Sequence, residues 1–300
     1  MGSNPTGSTM QAQRRSDIYD VCVKYDVIIC EDDPYCFLQY AAYLYGDASP
    51  SAKSTLDSYL PSLAPSFLKY DTQGRVIRLE TFSKTLAPGA RLGYFVVNPL
   101  FGERLLRATE VETQAPSGWS QAIVYALLRK WGISGYIEWL SNLRDVYQTR
   151  RNWMCDAFAQ NFEIRPAKSS KIPGAEGLVA FSKSDQPVFS FVPPTGGMFI
   201  WARFYLAECP RFTALQEDKT VVDPEQTFSD EIWANLAQNL ILLTPGFYYN
   251  PWEGRDKVTT KTRGGEPGIG HFRLAFSSTT KEEMELGIKR MAEVLAEFWL

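Results

Sequence analysis

Residues 81–94 read TFSKTLAPGARLGY. An apolar run, RVIRLE at 75–80, leads into this stretch, and a second strand-like run, LGYFVVN at 92–98, leads out of it. Between them lies a polar turn. Lys84 follows the hydroxyls of Thr81 and Ser83, and Arg91 comes seven residues later. Gly89 and Gly93 bracket the arginine and permit tight turns and close backbone approach. A Ser-Lys pair alone is commonplace and reads as surface. An amine, two hydroxyls and a guanidinium together suit a carbonyl compound that also carries a phosphate. The amine can condense with the carbonyl, and the other groups can hold phosphate oxygens through charge-assisted bonds.

Pyridoxal phosphate is such a compound, and its ring nitrogen needs a carboxylate partner if the ring is to act as an electron sink. Upstream, VIIC at 27–30 is a short apolar run that predicts a strand buried on both faces. It ends in EDDPY, which puts Asp32 and Tyr35 just past the C-terminal end of that strand. Asp32 is placed to pair with the ring nitrogen. Tyr35 can bond the phenolic oxygen of the ring, and Asn4, at the head of the turn NPTG, can do the same from the other side.

The rest of the chain alternates helix and strand patterns. Ser8 or Thr9 is a candidate cap for a first helix whose apolar stripe is Ile18, Val21, Cys22 and Tyr25. Residues 41–74, rich in Pro, Ser, Ala and Gly, read as a loop excursion. Helical patterns cover 99–113, 119–131 and 135–160, the last joining two domains, 1–143 and 144–300. The polar stretch before Pro187 reads as an exposed loop, 196–204 as a strand, and 229–239 as a capped helix followed by a short strand LILLT. Residues 250–268 read as a mobile loop, 271–277 as a strand and 280–299 as an amphipathic helix. Such alternation predicts an α/β fold with a mainly parallel sheet.

Composition narrows the function classes. The 300 residues carry a net charge of -3, which offers no basic face to nucleic acid. Five cysteines at irregular spacing, with no Cys-x-x-Cys pair, read as reduced thiols of a cytoplasmic protein. A single histidine, His271, argues against a metal site and reads as a strand-edge residue. Trp119 and Trp131 read as helix packing, and PTGGMFIW at 194–201 as core of the second domain. No apolar run reaches membrane-spanning length.

Four motifs taken in order, NPTG at 4–7, DDPY at 32–35, SKTLAPGARLGY at 83–94 and FRLAFS at 272–277, resemble the class I aminotransferases of fold-type I. The nearest branch is that of aromatic-amino-acid, 2-aminoadipate and kynurenine aminotransferases, particularly fungal ones. The 28-residue step from Asn4 to Asp32 and the seven-residue step from Lys84 to Arg91 match the family, while the longer Asp32-to-Lys84 gap is accounted for by the excursion. The resemblance implies pyridoxal 5′-phosphate, with Lys84 as its covalent anchor and proton shuttle. It implies Asp32 on the ring nitrogen, Asn4 and Tyr35 on O3′, and Thr81, Ser83 and Arg91 on the phosphate. Arg273 would grip the substrate α-carboxylate, and the Asn4-Pro5 bond would be cis. The expected partners are an amino acid, a 2-oxo acid and a second copy in a homodimer. In the family NPTG lies mid-chain, so the chain is expected to be the C-terminal part of such an enzyme. A catalytically impaired homologue, or another fold-type I enzyme of a biosynthetic pathway, is the alternative the same residues leave open.

Overall fold

A computed structural model describes residues 2–45, 56–251 and 253–299. The chain divides into two compact units. The first holds the residues up to Ser3, Ser8–Gln148 and Thr195–Gly197, and the second holds Asn4–Gly7, Thr149–Pro194 and the chain from Met198 onward.

In the first unit, α1 spans Ala12–Lys24 and β1 spans Ile29–Asp32. Residues 46–55 of the expected excursion lie outside the described residues; beyond them α2 spans Leu56–Ser62, and Phe67–Lys69 form a turn of 3-10 helix. β2 (Val76–Thr81) and β3 (Gly93–Val96) follow, then α3 (Pro99–Glu112) and α4 (Gly118–Asn161). The sheet order is β1-β2-β3. β1 and β2 are parallel, and β2 and β3 antiparallel, so the sheet is mixed rather than mainly parallel.

Several local expectations shift. α1 starts after Gln11 with no side-chain cap; Thr9 instead shares a hydrogen bond with Thr195, 3.2 Å between hydroxyls. The buried face of α1 is Arg15 and Tyr19, with Ile18 and Val23 packed beside them, while Val21 and Tyr25 are exposed. The helix has turned because its inner face carries an arginine with buried carboxylate partners. Val27 and Ile28 are exposed and precede β1, whose own pattern is buried only at Glu31. Trp119 is 83% exposed, so it does not pack, whereas Trp131 stacks on Trp139 at 5.4 Å. α4 breaks at Gly132, where φ is 64° and ψ −173°, a conformation a side chain disfavours.

The second unit continues with β4 (Glu163–Pro166), the short α5 (Ala167–Ser170), β5 (Leu178–Phe181), β6 (Pro187–Phe191) and β7 (Phe199–Tyr205). α6 (Pro210–Glu217), α7 (Pro224–Gln238), β8 (Thr244–Pro245), β9 (Ile269–Ala275) and α8 (Lys281–Phe298) complete it. Its sheet runs β4-β5-β6-β7-β9-β8 with every pair antiparallel. Phe158, Phe189, Phe204 and Phe272 are fully buried, and their rings meet at centroid distances near 5 Å, the offset and edge contacts aromatic pairs favour. α8 opens on a capping box, Thr280 with Glu283, and buries Met284, Ile288, Met291 and Leu295. The expected loop before Pro187 contains the buried strand β5, and β6 follows it. The expected strand LILLT shrinks to β8, with Leu240 and Leu242 exposed. Residues 250–268 are tied at Thr260 to Asp223 and at Gly268 to Glu225.

Candidate active site

The first unit builds its site on the β2–β3 connection. Thr81 ends β2, and its hydroxyl accepts from the Ser83 amide at 3.1 Å while lying 3.4 Å from the Leu92 carbonyl. Ser83 receives Arg91 Nη1 at 3.3 Å, and the same nitrogen reaches the Pro88 carbonyl at 3.4 Å. Arg91 is left-handed, φ 47° and ψ 39°, a conformation that costs a non-glycine residue about 1 kcal/mol and here turns the guanidinium back over the turn. Among the described residues its guanidinium meets a hydroxyl and a carbonyl but no carboxylate. Lys84 likewise has no carboxylate, and its Nζ lies 5.9 Å from the Tyr35 ring centroid. Thr85 fixes the backbone beyond Lys84: it is buried, its carbonyl accepts from the Trp139 indole at 2.6 Å, and its hydroxyl reaches the Thr81 carbonyl at 3.3 Å.

The two expected glycines behave differently. A Cβ on Gly93 would meet the Glu80 carbonyl oxygen at 2.6 Å, so β3 approaches β2 there only because the residue is glycine. A Cβ on Gly89 would meet nothing within 4 Å. Asp32 closes β1 opposite Leu79. It is exposed and holds no side-chain partner among the described residues.

Next to Asp32 lies a buried ionic cluster that sequence reading missed. Arg15 bonds Glu31 at 2.5 Å and approaches Asp33 at 3.5 Å; Arg78 pairs with Glu31 at 2.8 Å and with Glu80 at 2.5 Å. Burial works to raise the Glu31 carboxyl, yet the Ser66 hydroxyl, Arg78 and the Phe67 amide bring it below its ordinary value. The signal was present in RVIRLE, where Arg78 and Glu80 alternate on one face of a strand that must be covered.

The second unit holds the other two expected residues together. The Asn4-Pro5 bond is cis. Arg273 on β9 donates from Nη1 to Asn4 Oδ1 at 2.7 Å and from Nη2 to the Thr244 hydroxyl at 3.2 Å. Its guanidinium carbon lies 4.2 Å from the Phe199 ring centroid and 5.1 Å from that of Tyr249. Buried Nε has no acceptor among the described residues. Trp201 meets Tyr249 edge-on at 5.9 Å and stacks on His271 at 5.2 Å. His271 pairs with Arg203 of β7 on one side, while the two-residue β8 pairs with β9 only at Arg273 and Phe272. Burial, with the Arg203 cation adding to it and Glu266 opposing, pushes its imidazole down to about 4.

The sequence profile described as "Aminotransferase class I and II" matches residues 2–290. An aromatic amino acid aminotransferase of Schizosaccharomyces pombe is 36% identical over 296 residues, covering 98% of this chain and 54% of that protein. The mitochondrial kynurenine/alpha-aminoadipate aminotransferase of Bos taurus is 27% identical, covering 99% and 53%. Among solved structures, aminotransferase Aro8 from Candida albicans superposes with a TM-score of 0.80 at 33% identity, covering 100% of this chain and 56% of that one. The α/β architecture is that of the fold-type I aminotransferases. The chain belongs to the aminotransferase class I and II family, and it spans about half the length of the curated relatives it matches.

Proposed function

We propose that this chain carries catalytic residues of a pyridoxal-phosphate-dependent transaminase that exchanges an amino group between an aromatic or 2-aminoadipate-like amino acid and a 2-oxo acid. The observation that carries the reading is the β2–β3 turn, where Lys84 and Arg91 stand beside the Thr81 and Ser83 hydroxyls with no carboxylate on either cation among the described residues. That donor set fits the cofactor: two cations and two hydroxyls suit a dianionic phosphate and a carbonyl, and exposed Asp32 suits a ring nitrogen that must stay protonated. The bound cofactor supplies the carbonyl for amine exchange and the electron sink that stabilises charge at the substrate Cα.

The chain's own residues do the rest. Ser83 and Arg91 hold the phosphate, and the Thr81 hydroxyl proton, only loosely engaged at 3.4 Å, turns to join them. Lys84 anchors the cofactor and then moves the proton off the substrate Cα. Asp32 keeps the ring nitrogen protonated. Tyr35 and the amide nitrogen of Asn4 bond O3′, since the Asn4 oxygen is taken by Arg273. Arg273 grips the substrate carboxylate, a planar fork on a planar anion. A cytoplasmic homodimer is part of this proposal. The exposed Val111 and Ile123 on α3 and α4 are apolar side chains that such an assembly would cover.

The test is amino-group transfer. Chain loaded with pyridoxal phosphate is given tyrosine, phenylalanine or 2-aminoadipate with 2-oxoglutarate, and glutamate is measured. Glutamate formation that disappears in Lys84→Ala is the expected result. Formation that persists in Lys84→Ala contradicts the reading.

A further inference from the structure

The side chain of Lys84 forms no hydrogen bond or ion pair among the described residues, and its Nζ only approaches the Tyr35 ring, at 5.9 Å. A long amine of this kind is placed by the backbone that carries it. On the N-terminal side, the Thr81 hydroxyl holds the Ser83 amide at 3.1 Å. On the C-terminal side, the turn closes on the Phe82 carbonyl, which accepts from the Leu86 amide at 2.8 Å and the Ala87 amide at 3.1 Å. A further hold on that side comes from outside the turn.

That hold is α4. The helix breaks at Gly132, and the segment after the break carries Tyr136 and Trp139, three residues apart and so on one helical face. Both engage Thr85, the residue after Lys84. An indole has a single donor, and Trp139, 37% exposed, gives it to the Thr85 carbonyl at 2.6 Å. Burial raises the Tyr136 hydroxyl above its ordinary value, and a hydrogen bond with the Thr85 side chain pulls it the other way. Thr85 is buried, and its own hydroxyl reaches back to the Thr81 carbonyl at 3.3 Å. Trp131, just before the break, stacks on the Trp139 ring at 5.4 Å.

We infer that Trp139, supported by Tyr136, is a positioning residue for Lys84: through Thr85 it fixes the main chain from which the amine projects. Neither aromatic residue is assigned any contact with cofactor or substrate. The inference rests on the transaminase reading. A tie that only stabilised the fold would change unfolding; a positioning tie changes the reactivity of Lys84 and of no other lysine.

The full chain is incubated briefly with pyridoxal phosphate, reduced with borohydride and digested, and the label on Lys84 is divided by that on exposed Lys168 and Lys219. Trp139→Phe keeps a ring and loses the donor, and should lower this ratio about five- to tenfold, the equivalent of one hydrogen bond. Tyr136→Phe should lower it about threefold, and Trp131→Phe, which leaves the indole donor in place, by less than about twofold. Amide exchange at residues 85–87, followed without cofactor, should quicken in Trp139→Phe. An unchanged ratio in folded Trp139→Phe, with or without faster exchange, overturns the inference and leaves the transaminase reading standing; so does an equal fall in Trp131→Phe. Should Trp139→Phe fail to fold, an unchanged ratio in Tyr136→Phe overturns it in the same way. A wild-type chain with no label on Lys84 contradicts the transaminase reading itself, and the inference falls with it.

Discussion

Arg273 is held at two corners by Asn4 and Thr244 and on its faces by Phe199 and Tyr249, so its remaining freedom is small. A lysine at this position keeps the charge and loses the fork. Arg273→Lys should lower kcat/KM for the amino acid by about 10–100-fold, the loss of a bidentate charge-assisted contact, as steady-state kinetics would register. His271 sits one strand position pair away with a different consequence. Its imidazole is pushed down to about 4 when folded, against 6.5 ordinarily. Between those values the unfolded chain binds more protons than the folded one, so stability falls as the pH drops through that window, by at most about 3 kcal/mol. Urea midpoints at pH 7 and pH 4.5 should differ, and the difference should shrink in His271→Gln. Equal pH dependence in both chains would remove His271 from the account. The sequence named Arg273 and Asn4 but not their mutual bond, because a contact between residues 269 positions apart leaves no periodic trace.

At the level of elements, α1, β1 and β2 are pinned together by the Arg15–Glu31–Arg78 cluster. Removing the central carboxylate takes the 2.5 Å partner from Arg15 and the 2.8 Å partner from Arg78, leaving them only Asp33 at 3.5 Å and Glu80 at 2.5 Å. Glu31→Gln should therefore destabilise the chain by about 3–5 kcal/mol, measured by urea unfolding, with no change expected in far-ultraviolet signature at low denaturant. Gly93 governs the β2–β3 pairing. Gly93→Ala should cost about 1–3 kcal/mol by forcing the Glu80 carbonyl aside, whereas Gly89→Ala should be close to neutral. Periodicity found α3, α8 and the break in α4, where long amphipathic or glycine-interrupted patterns dominate. It failed on β5 and β6, four and five residues long, because both are buried on every position and carry no alternation to read. It also put Val27 and Ile28 inside a strand, since an apolar run alone does not say which of its residues find a partner.

For the whole molecule, the family was legible because its motifs are few, ordered and chemically specific, while the division into units was not marked by any composition shift. Asn4–Gly7 belongs to the second unit although the flanking residues belong to the first, an arrangement only the folded chain discloses. Several large apolar side chains of the first unit stand in solvent, Val111, Trp119 and Ile133 each more than 80% exposed. If these faces are assembly surfaces, sedimentation should show concentration-dependent association, and Ile123→Lys with Ile133→Lys should shift it toward monomer. The central claim is that Lys84 is the cofactor's anchor. The direct measurement is to incubate the chain with pyridoxal phosphate, reduce with borohydride, digest, and map the phosphopyridoxyl label by mass spectrometry. The account predicts a label concentrated on Lys84 and lost in Lys84→Arg. A label spread evenly over surface lysines, or none at all, would contradict it.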